Sequence, residues 1–435
     1  MEWIDTLVVG GGQAGIAISM HLNGHGVPHL VLEKDRIAER WRTGRWDSMV
    51  ANGPAWHDRF PDQPYTGTAA DDFPAKEDVA DYLEAYAGRN RAPIRCGITA
   101  TRARRRDGAS GFHVETSAGA VEAQRLVVAT GAFQCPHIPP LIPAEAGLTQ
   151  IHSAAYRNPG VLPEGAVLVI GAGASGVQIA EELAASGRRV YLSVGPHDRP
   201  PRRYRGRDFV WWLGVLGKWD LPPAPEGSEH VTIAVSGAHG GETVDFRRLA
   251  ARGLTLVGRS EGYADGRLRF APDLARNIAR GDAQYLELLD EADAYIARNG
   301  LDLPPEPAAR QIPPDPDCMT RPLAELDLAG AGVTTVIWAT GYRQDFGWLD
   351  IDGAVDTRGR ALHHRGVGQV PGLYFLGLPW LTGRKSSFIW GVWQDALYLA
   401  EHIATQRGYL AYRPGQDRPA DGPADGPPDG SVKGN

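Results

Sequence analysis

Two glycine-rich segments have a residue spacing that points directly to chemistry. Gly10–Gly15 and Gly171–Gly176 each follow an apolar strand and open a helix rich in small residues. In such a turn the first glycine permits the tight bend, the second lets the backbone approach a pyrophosphate, and the third lets the helix pack on the strand. The phosphates then lie on the free N–H groups of the helix N-terminus. The sequence therefore predicts two bound dinucleotides with electron transfer between them.

The first segment is predicted to bind FAD. Glu33 closes the next apolar strand, 23 residues after Gly10, where a carboxylate can hold the hydroxyls of an adenosine ribose. The expected contacts are Gly10, Gly12, Gln13, Ala14, Gly15, Glu33 and Lys34.

The second segment is predicted to bind NADPH. Its following strand ends in a hydroxyl, Ser193, instead of a carboxylate, and several arginines come soon after. Guanidinium groups suit a 2′-phosphate. The expected contacts are Gly171, Gly173, Ala174, Ser175, Gly176, Ser193, Arg199, Arg202 and Arg203.

A second repeat supports an α/β fold built from two Rossmann-like dinucleotide-binding domains. Two apolar strands stop at Ala-Thr-Gly, and their ends, Thr130-Gly131 and Thr340-Gly341, are predicted to contact cofactor. Proline-rich stretches mark the domain junctions. The predicted division is a discontinuous FAD domain over residues 1–160 and 311–412, an inserted NAD(P)H domain over 161–310, and a disordered tail over 413–435.

Composition restricts the partners. The net charge of −7 argues against nucleic acid or an anionic membrane as a partner, and the chain holds no uninterrupted apolar stretch of the ~20 residues that span a bilayer. The three cysteines form no Cys-x-x-Cys pair, which suits a reducing compartment and predicts a cytoplasmic protein. No metal-ligand or Ser/His/Asp pattern is present. A homodimer is one assembly compatible with this sequence.

With these residues in hand, the chain resembles the class B flavin-containing monooxygenases from about Thr6 to His402. The family motif Phe-x-Gly-x-x-x-His-x-x-x-(Tyr/Phe)-(Lys/Arg) keeps its second half as His152-Ser-Ala-Ala-Tyr156-Arg157. Ala146 and Leu148 replace the phenylalanine and glycine of its first half. Type I Baeyer–Villiger enzymes carry Trp-Pro after the histidine, so this ending argues against that subfamily.

Two further matches surround the expected flavin. The stretch Glu39-Arg-Trp41-Arg42 resembles the family's Gly-Gly-x-Trp segment, and the resemblance implies that Trp41 and Arg42 contact cofactor. Residues 49–54 and 60–64 resemble its Thr-Asn-x-Pro…Phe-Pro-Asp-x-Pro stretch. In the family that asparagine lies beside the flavin C4a, which makes Asn52 the candidate catalytic residue.

The resemblance implies a reaction in which NAD(P)H reduces FAD, O2 adds to form a C4a-hydroperoxyflavin, and a small organic substrate is oxygenated at nitrogen or sulfur. Two alternatives stay open: an FAD/NAD(P)H reductase that passes electrons to a quinone or protein, and a Baeyer–Villiger or oxidative-decarboxylating monooxygenase. A flavin disulfide reductase needs a redox cysteine pair that is absent from the sequence, and the intact fingerprints disfavour a nucleotide-sensing regulatory subunit.

Two features leave questions for the structure. The family has an arginine where this chain has Gly195, and members without it often accept NADH, so NADPH is favoured here with NADH tolerated. The segment 199–220 interleaves arginines with aromatic residues. It fits a domain-interface helix, a hydrophobic substrate gate or, least well, a membrane-surface helix.

Overall fold

The computed structural model describes residues 2–225 and 227–413. Within them the strands are β1 (Glu2–Val9), β2 (His29–Leu32), β3 (Ile94–Arg95), β4 (Ala100–Arg105), β5 (Phe112–Thr116), β6 (Gly119–Val128), β7 (Cys135–Pro136), β8 (Thr149–His152), β9 (Ala166–Ile170), β10 (Val190–Ser193), β11 (His197–Asp198), β12 (Arg203–Tyr204), β13 (Arg207–Asp208), β14 (Thr232–Ile233), β15 (Thr255–Val257), β16 (Ser260–Ala264), β17 (Arg267–Phe270), β18 (Glu325–Asp327), β19 (Val333–Trp338), β20 (Tyr342–Arg343), β21 (Leu349–Asp350), β22 (His363–His364), β23 (Val367–Gly368) and β24 (Leu373–Phe375).

The helices of the same residues are α1 (Gln13–Gly24), α2 (Glu39–Thr43), α3 (Lys76–Arg89), α4 (Ala174–Ala185), α5 (Phe209–Val215), α6 (Ala238–Gly241), α7 (Phe246–Ala251), α8 (Leu274–Asn299), α9 (Asp317–Thr320) and α10 (Ile389–Ala411). Short 3-10 turns cover Ala144–Ala146, Pro159–Val161, Lys218–Asp220, Pro307–Arg310 and Arg384–Ser387. None of the described helices is long and apolar enough to cross a bilayer. The predicted tail lies outside the described residues beyond Arg413.

The first sheet is a parallel Rossmann-like layer with antiparallel additions. Strands β24, β6, β1, β2 and β3 lie side by side in that order and run parallel. On the side of β6 away from β1, its second half pairs with β24 and its first half pairs with β5. Strand β5 forms a hairpin with β4. The last five residues of β1 are buried, as expected for a central strand covered on both faces.

The second sheet is a five-stranded layer in the order β15-β10-β9-β19-β8. Its parallel pairing places Val333–Trp338 beside β9 and Thr149–His152 on the outer side of Val333–Trp338, so both strands lie in the second unit. The second unit therefore extends on both sides of the predicted range 161–310. The predicted range 311–412 for the FAD domain is corrected for Val333–Trp338, which pairs with β9 of the second sheet, whereas β24 does pair with β6 of the first sheet.

The physical reason lies in how each Ala-Thr-Gly strand meets its own glycine turn. A Cβ at Gly10 would lie 2.4 Å from the Ala129 carbonyl oxygen, and a Cβ at Gly171 would lie 2.4 Å from that of Ala339. Each strand is thus a structural part of one nucleotide fold, so the repeat marks two complete Rossmann-like units. The predicted fold class is confirmed.

Candidate functional site

The first glycine turn forms a cradle at the N-terminus of α1. Gly10 has a φ of +116°. A side chain at Gly15 would meet the Gly10 carbonyl oxygen at 1.8 Å, whereas a Cβ at Gly12 would meet nothing within 4 Å. Helix α1 begins after Gly12, which has no side chain with which to cap it. The first-turn N–H groups, including those of Gln13 and Ala14, are placed to donate hydrogen bonds to a pyrophosphate.

Glu33 lies beside this cradle with a fixed carboxylate. The Gly11 N–H donates to its Oε2 at 2.6 Å, and the Asp35 N–H donates to its Oε1 at 2.9 Å. This places a carboxylate at the carboxyl end of β2, where a Rossmann-like fold binds ribose. Lys34 is largely exposed, with its Nζ 3.9 Å from Asp35.

The second cradle repeats this geometry at the N-terminus of α4. Gly171 has a φ of +108°, and a Cβ at Gly176 would lie 1.8 Å from the Gly171 carbonyl oxygen. Helix α4 begins after Gly173, so the N–H groups of Ala174 and Ser175 form its first turn. The residues present fit a second dinucleotide.

Ser193, at the end of β10, has a buried hydroxyl that is engaged within the protein. It donates to the Gly258 carbonyl oxygen at 2.9 Å and accepts from the Ser260 hydroxyl at 3.1 Å. The structure thus uses Ser193 to tie β10 to the loop after β15.

The arginines expected at the 2′-phosphate are mostly committed elsewhere. The guanidinium groups of Arg199 and Arg202 are nearly fully buried. Arg199 pairs with Asp282 at 2.6 Å, and Arg202 pairs with Asp208 at 2.5 Å. Arg203 is exposed and donates to the Gly240 carbonyl oxygen at 3.0 Å. The phosphate role assigned to Arg199 and Arg202 is therefore corrected: each is the counter-ion of a buried carboxylate.

Asn52 lies at the junction of the two units. The side-chain amide of Gln178, on α4, donates to the Asn52 Oδ1 at 2.8 Å and to the Val235 carbonyl oxygen at 3.0 Å. Arg202 donates from Nη1 to the Asn52 carbonyl oxygen at 2.6 Å. The candidate catalytic asparagine is thus held from the second unit. Sequence reasoning missed Gln178, although a buried amide on a fingerprint helix of small and apolar residues was a visible signal.

An aromatic layer spans the same junction; it consists of Trp56, His57, Trp219, Phe388 and Trp390. The His57 ring lies 5.4 Å from Trp219 and 4.9 Å from Trp390, and Trp219 lies 5.2 Å from Phe388. Trp56, Phe388 and Trp390 pack with Ala174 of the second cradle against one apolar cluster.

The aromatic layer is also tied to the first cradle. Gln13, the first residue of α1, donates from its side chain to the Ser387 carbonyl oxygen at 2.8 Å. Nearby, Thr382 donates to the buried Asp395 at 2.5 Å, and burial raises the pKa of that carboxyl. The segment before α10 therefore bridges the two cradles.

The segment 199–220 is a domain-interface element in this structure. Helix α5 buries Phe209 and Leu213 against Trp219 and Val235, and Trp212 is fully buried on its other side. This agrees with the interface interpretation of the sequence.

The surviving half of the family motif has a structural role. His152 Nδ1 accepts from the Ala154 N–H at 3.1 Å, and its Nε2 donates to the Gly341 carbonyl oxygen at 2.9 Å. Burial lowers the pKa of His152 and favours this neutral form. The Tyr156 hydroxyl donates to Glu182 of α4 at 2.7 Å. The motif therefore binds the segment between β8 and β9 to the helix of the second cradle.

The remaining predicted contacts divide into two groups. Thr130 and Gly131 lie just after β6 and both accept from the Gln134 amide, at 3.0 and 2.8 Å. Gly341 has a φ of +77°, and its neighbour Thr340 donates to the His137 carbonyl oxygen. Away from the glycine turns, Arg42 pairs with Asp81 and Glu84 of α3, and the Trp41 ring lies 5.5 Å from the Arg45 guanidinium.

The chain is similar to known oxidoreductases. A family model described as pyridine nucleotide-disulphide oxidoreductase matches residues 7–206. An uncharacterized CzcO-like oxidoreductase of Geobacillus kaustophilus is 33% identical over 403 residues, which are 92% of this chain and 98% of the relative. Indole-3-pyruvate monooxygenase YUCCA8 of Oryza sativa subsp. japonica is 27% identical over 92% of this chain and 90% of the relative.

Solved structures share the fold. A flavin-containing monooxygenase from Stenotrophomonas maltophilia superimposes with a TM-score of 0.64 at 19% identity, covering 94% of this chain and 100% of that one. OTEMO in complex with FAD and NADP gives 0.53 at 16% identity over 94% and 86%. A bacillithiol disulfide reductase from Bacillus cereus gives 0.56 at 16% identity over 93% and 100%.

The fold alone therefore does not choose between oxygenases and reductases. The predicted resemblance and the prediction of an oxidoreductase are confirmed, and FAD with NADP matches the cofactors named for OTEMO. The chain has the two-nucleotide fold of the class B flavin-containing monooxygenases. Because it is 33% identical to the Geobacillus relative over 92% of its length, it belongs to the family of the CzcO-like oxidoreductases.

Proposed function

We propose that this protein is an FAD-dependent NAD(P)H monooxygenase that uses O2 to oxygenate a small organic substrate, at nitrogen or sulfur in the first instance. The observation that carries the proposal is the position of Asn52. It is held by Gln178 and Arg202 of the second unit, in the loop that the family resemblance places beside the flavin. An amide fixed there provides a hydrogen-bonding group at the contact between the two nucleotide-binding units.

The residues present fit both cofactors. The α1 cradle and Glu33 would hold FAD, and the α4 cradle would hold NADPH or NADH. When bound, FAD supplies hydride acceptance from the nicotinamide and activation of O2. The protein's contribution is to fix Asn52 at the junction of the two units. The aromatic layer adds apolar surface at the same junction.

A second candidate is oxidative decarboxylation of an aromatic oxo acid. Three observations favour it over a Baeyer–Villiger reaction. The chain is similar along most of its length to an indole-3-pyruvate monooxygenase, and the junction carries three tryptophans with His57 and Phe388. Tyr156-Arg157 stands where Baeyer–Villiger enzymes carry Trp-Pro.

A reductase that passes electrons to a quinone or protein is the alternative from another class. The three cysteines, Cys96, Cys135 and Cys318, are free, so a reductase of this kind would pass electrons from the flavin to its acceptor without a disulfide.

The proposals of a cytoplasmic location, of no nucleic-acid partner and of a homodimer rest on the sequence alone.

Incorporation of labelled oxygen tests the proposal. The FAD-loaded enzyme is incubated with NADPH and ¹⁸O2 in the presence of amines, sulfides, aromatic oxo acids or quinones, and the products are analysed by mass spectrometry. One ¹⁸O atom in an organic product supports a monooxygenase. Rapid NADPH oxidation with quinone reduction and no ¹⁸O product contradicts it and supports the reductase.

A further inference from the structure

The carboxyl end of β10 is where a Rossmann-like fold places the adenosine ribose of its dinucleotide, and an arginine nearby can accommodate a 2′-phosphate. Arg199 and Arg202 are buried counter-ions. Gly195 supplies no side chain at the position expected to carry an arginine. Arg203 is exposed, but its guanidinium is turned to the Gly240 carbonyl oxygen and lies 5.9 Å from the Phe73 ring. A preference for NADPH would then draw on a cation from another element.

The neighbouring strand supplies one at the matching position. Strands β10 and β15 are parallel, with Ser193 opposite Val257. Arg259 follows Val257 by the same two positions by which Gly195 follows Ser193. A Cβ at Gly195 would lie 3.5 Å from the Arg259 Cγ and 3.6 Å from its Cδ, so the arginine stem lies against the glycine. The missing side chain makes room for Arg259.

The Arg259 guanidinium is held by one edge only. Its Nε donates to the buried Asp273 at 2.7 Å, and Asp273 also accepts from the Arg259 backbone N–H at 3.1 Å. The side chain is 46% exposed, and its Nη1 lies 3.9 Å from Glu229. Asp273 thus orients the guanidinium and leaves its Nη edge at the surface.

A second arginine contacts the Glu229 carboxylate. Arg280, on α8, donates from Nη1 to Glu229 at 2.9 Å and is 45% exposed. Glu229 is itself 47% exposed. A dianionic phosphate would satisfy two guanidinium groups better than one exposed carboxylate does. Glu229 thus lies within reach of both guanidinium groups.

We propose that Arg259 and Arg280 form the 2′-phosphate site of this enzyme, with Asp273 as the positioning residue and Glu229 as the displaced anion. The proposal rests on the proposed binding of NADPH at the second cradle. It transfers the specificity role from the arginines after β10 to an arginine of the adjacent strand and one of α8.

Calorimetric titration of the FAD-loaded protein with 2′,5′-ADP and with 5′-AMP tests this directly, because the two ligands differ by the phosphate in question. The wild type should bind 2′,5′-ADP more tightly. Arg259→Ala should weaken 2′,5′-ADP by about tenfold to hundredfold, the range expected for lost hydrogen bonds to a charged group, with little change for 5′-AMP. Glu229→Gln should tighten 2′,5′-ADP.

Two variants guard against an indirect effect. Arg267→Ala removes an arginine of similar exposure that pairs with Glu325 on the hairpin of the same unit, and it should leave both affinities unchanged. Arg259→Lys keeps a cation beside Asp273 but loses the planar fork, so its affinity for 2′,5′-ADP should be lower than that of the wild type and higher than that of the alanine variant. It also provides the test if the alanine variant does not fold. FAD content and thermal midpoint report on folding.

The proposal is overturned if the wild type binds the two ligands equally, or if Arg259→Ala changes both affinities alike or neither. It is also overturned if Glu229→Gln weakens 2′,5′-ADP. None of these outcomes depends on oxygen chemistry. A failure of the monooxygenase proposal would instead appear as the absence of ¹⁸O product in every variant, with ligand discrimination intact.

Discussion

The side-chain amide of Gln178 donates a hydrogen bond of 2.8 Å to the side-chain oxygen of Asn52, across 126 positions of sequence. Gln178 belongs to the helix of the second cradle, and Asn52 to a loop of the first unit. The bond fixes the orientation of the Asn52 amide, because an accepting oxygen on one side leaves its NH2 group facing the other. Geometry at the junction thus depends on contact between the two nucleotide units.

Replacing Gln178 with Leu should increase the hydrogen peroxide formed per NADPH consumed. The apolar side chain keeps most of the volume but leaves the Asn52 Oδ1 and the Val235 carbonyl without their donor, at a cost of about 1–3 kcal/mol in unfolding free energy. Peroxide yield and thermal midpoint measure the two effects. Gln124→Leu, the same change on β6 where the amide exchanges hydrogen bonds with Ser110, is the matched control. Equal peroxide yields in both variants would separate Gln178 from the chemistry.

Replacing Asn52 with Asp should leave FAD bound. It should shorten about tenfold the lifetime of the transient species that forms when the reduced enzyme reacts with O2, which corresponds to a decay barrier lower by about 1.4 kcal/mol. The new carboxylate can still accept from Gln178, but it loses the NH2 donor and adds negative charge. Stopped-flow absorbance after mixing reduced enzyme with O2 measures this lifetime. An unchanged lifetime would remove Asn52 from the mechanism.

Replacing Arg202 with Ala should destabilise the fold without changing the preference between NADPH and NADH. The change leaves Asp208 buried without its partner, which costs about 3–5 kcal/mol. Urea unfolding and the ratio of kcat/KM for the two nucleotides measure both effects. Arg203→Ala, an exposed neighbour, is the control for stability. A selective loss of NADPH activity in Arg202→Ala would restore its phosphate role.

Protein stability should fall between about pH 6.5 and pH 4 through His197. Burial lowers the pKa of His197 to about 4, despite the hydrogen bond between its Nδ1 and the Gly195 carbonyl oxygen. The folded-state pKa is below the unfolded value, so this contribution is complete above pH 6.5 and is lost as the pH falls toward 4. Over that window it amounts to about 3 kcal/mol.

The pH dependence of the thermal midpoint in variants checks this assignment. His197→Asn keeps a donor near the position of Nδ1 but removes the titration, so the midpoint should vary less between pH 7 and pH 5 than in the wild type. His230→Asn, at an exposed site, should keep the wild-type profile. Identical profiles for wild type and His197→Asn would contradict the assignment.

Local patterns predicted the nucleotide cradles because their chemistry is local. The turn at Gly10, the helix start at Gly12 and the carboxylate at Glu33 are all set within one strand-turn-helix-strand unit. The sequence places Val333–Trp338 in the FAD-domain range 311–412, but the strand joins the second sheet because strand pairing is decided by long-range packing, here of Trp338 beside Ile170.

The arginines show the same limit. A run of guanidinium groups after Ser193 is compatible with a phosphate site in sequence terms, but burial and the partners Asp208 and Asp282 are tertiary facts. Arg259 could be recognised only from the register of β10 and β15, because its contact with Gly195 joins two separate strands.

The monooxygenase assignment is tested by rapid mixing of NADPH-reduced, FAD-loaded enzyme with oxygenated buffer in the absence of substrate, with spectra recorded until the flavin is reoxidised. A monooxygenase should reoxidise in two phases, with a transient species whose absorbance differs from both the reduced and the oxidised flavin. A single phase that passes directly from reduced to oxidised flavin would contradict the monooxygenase assignment and favour electron transfer to a quinone or protein acceptor.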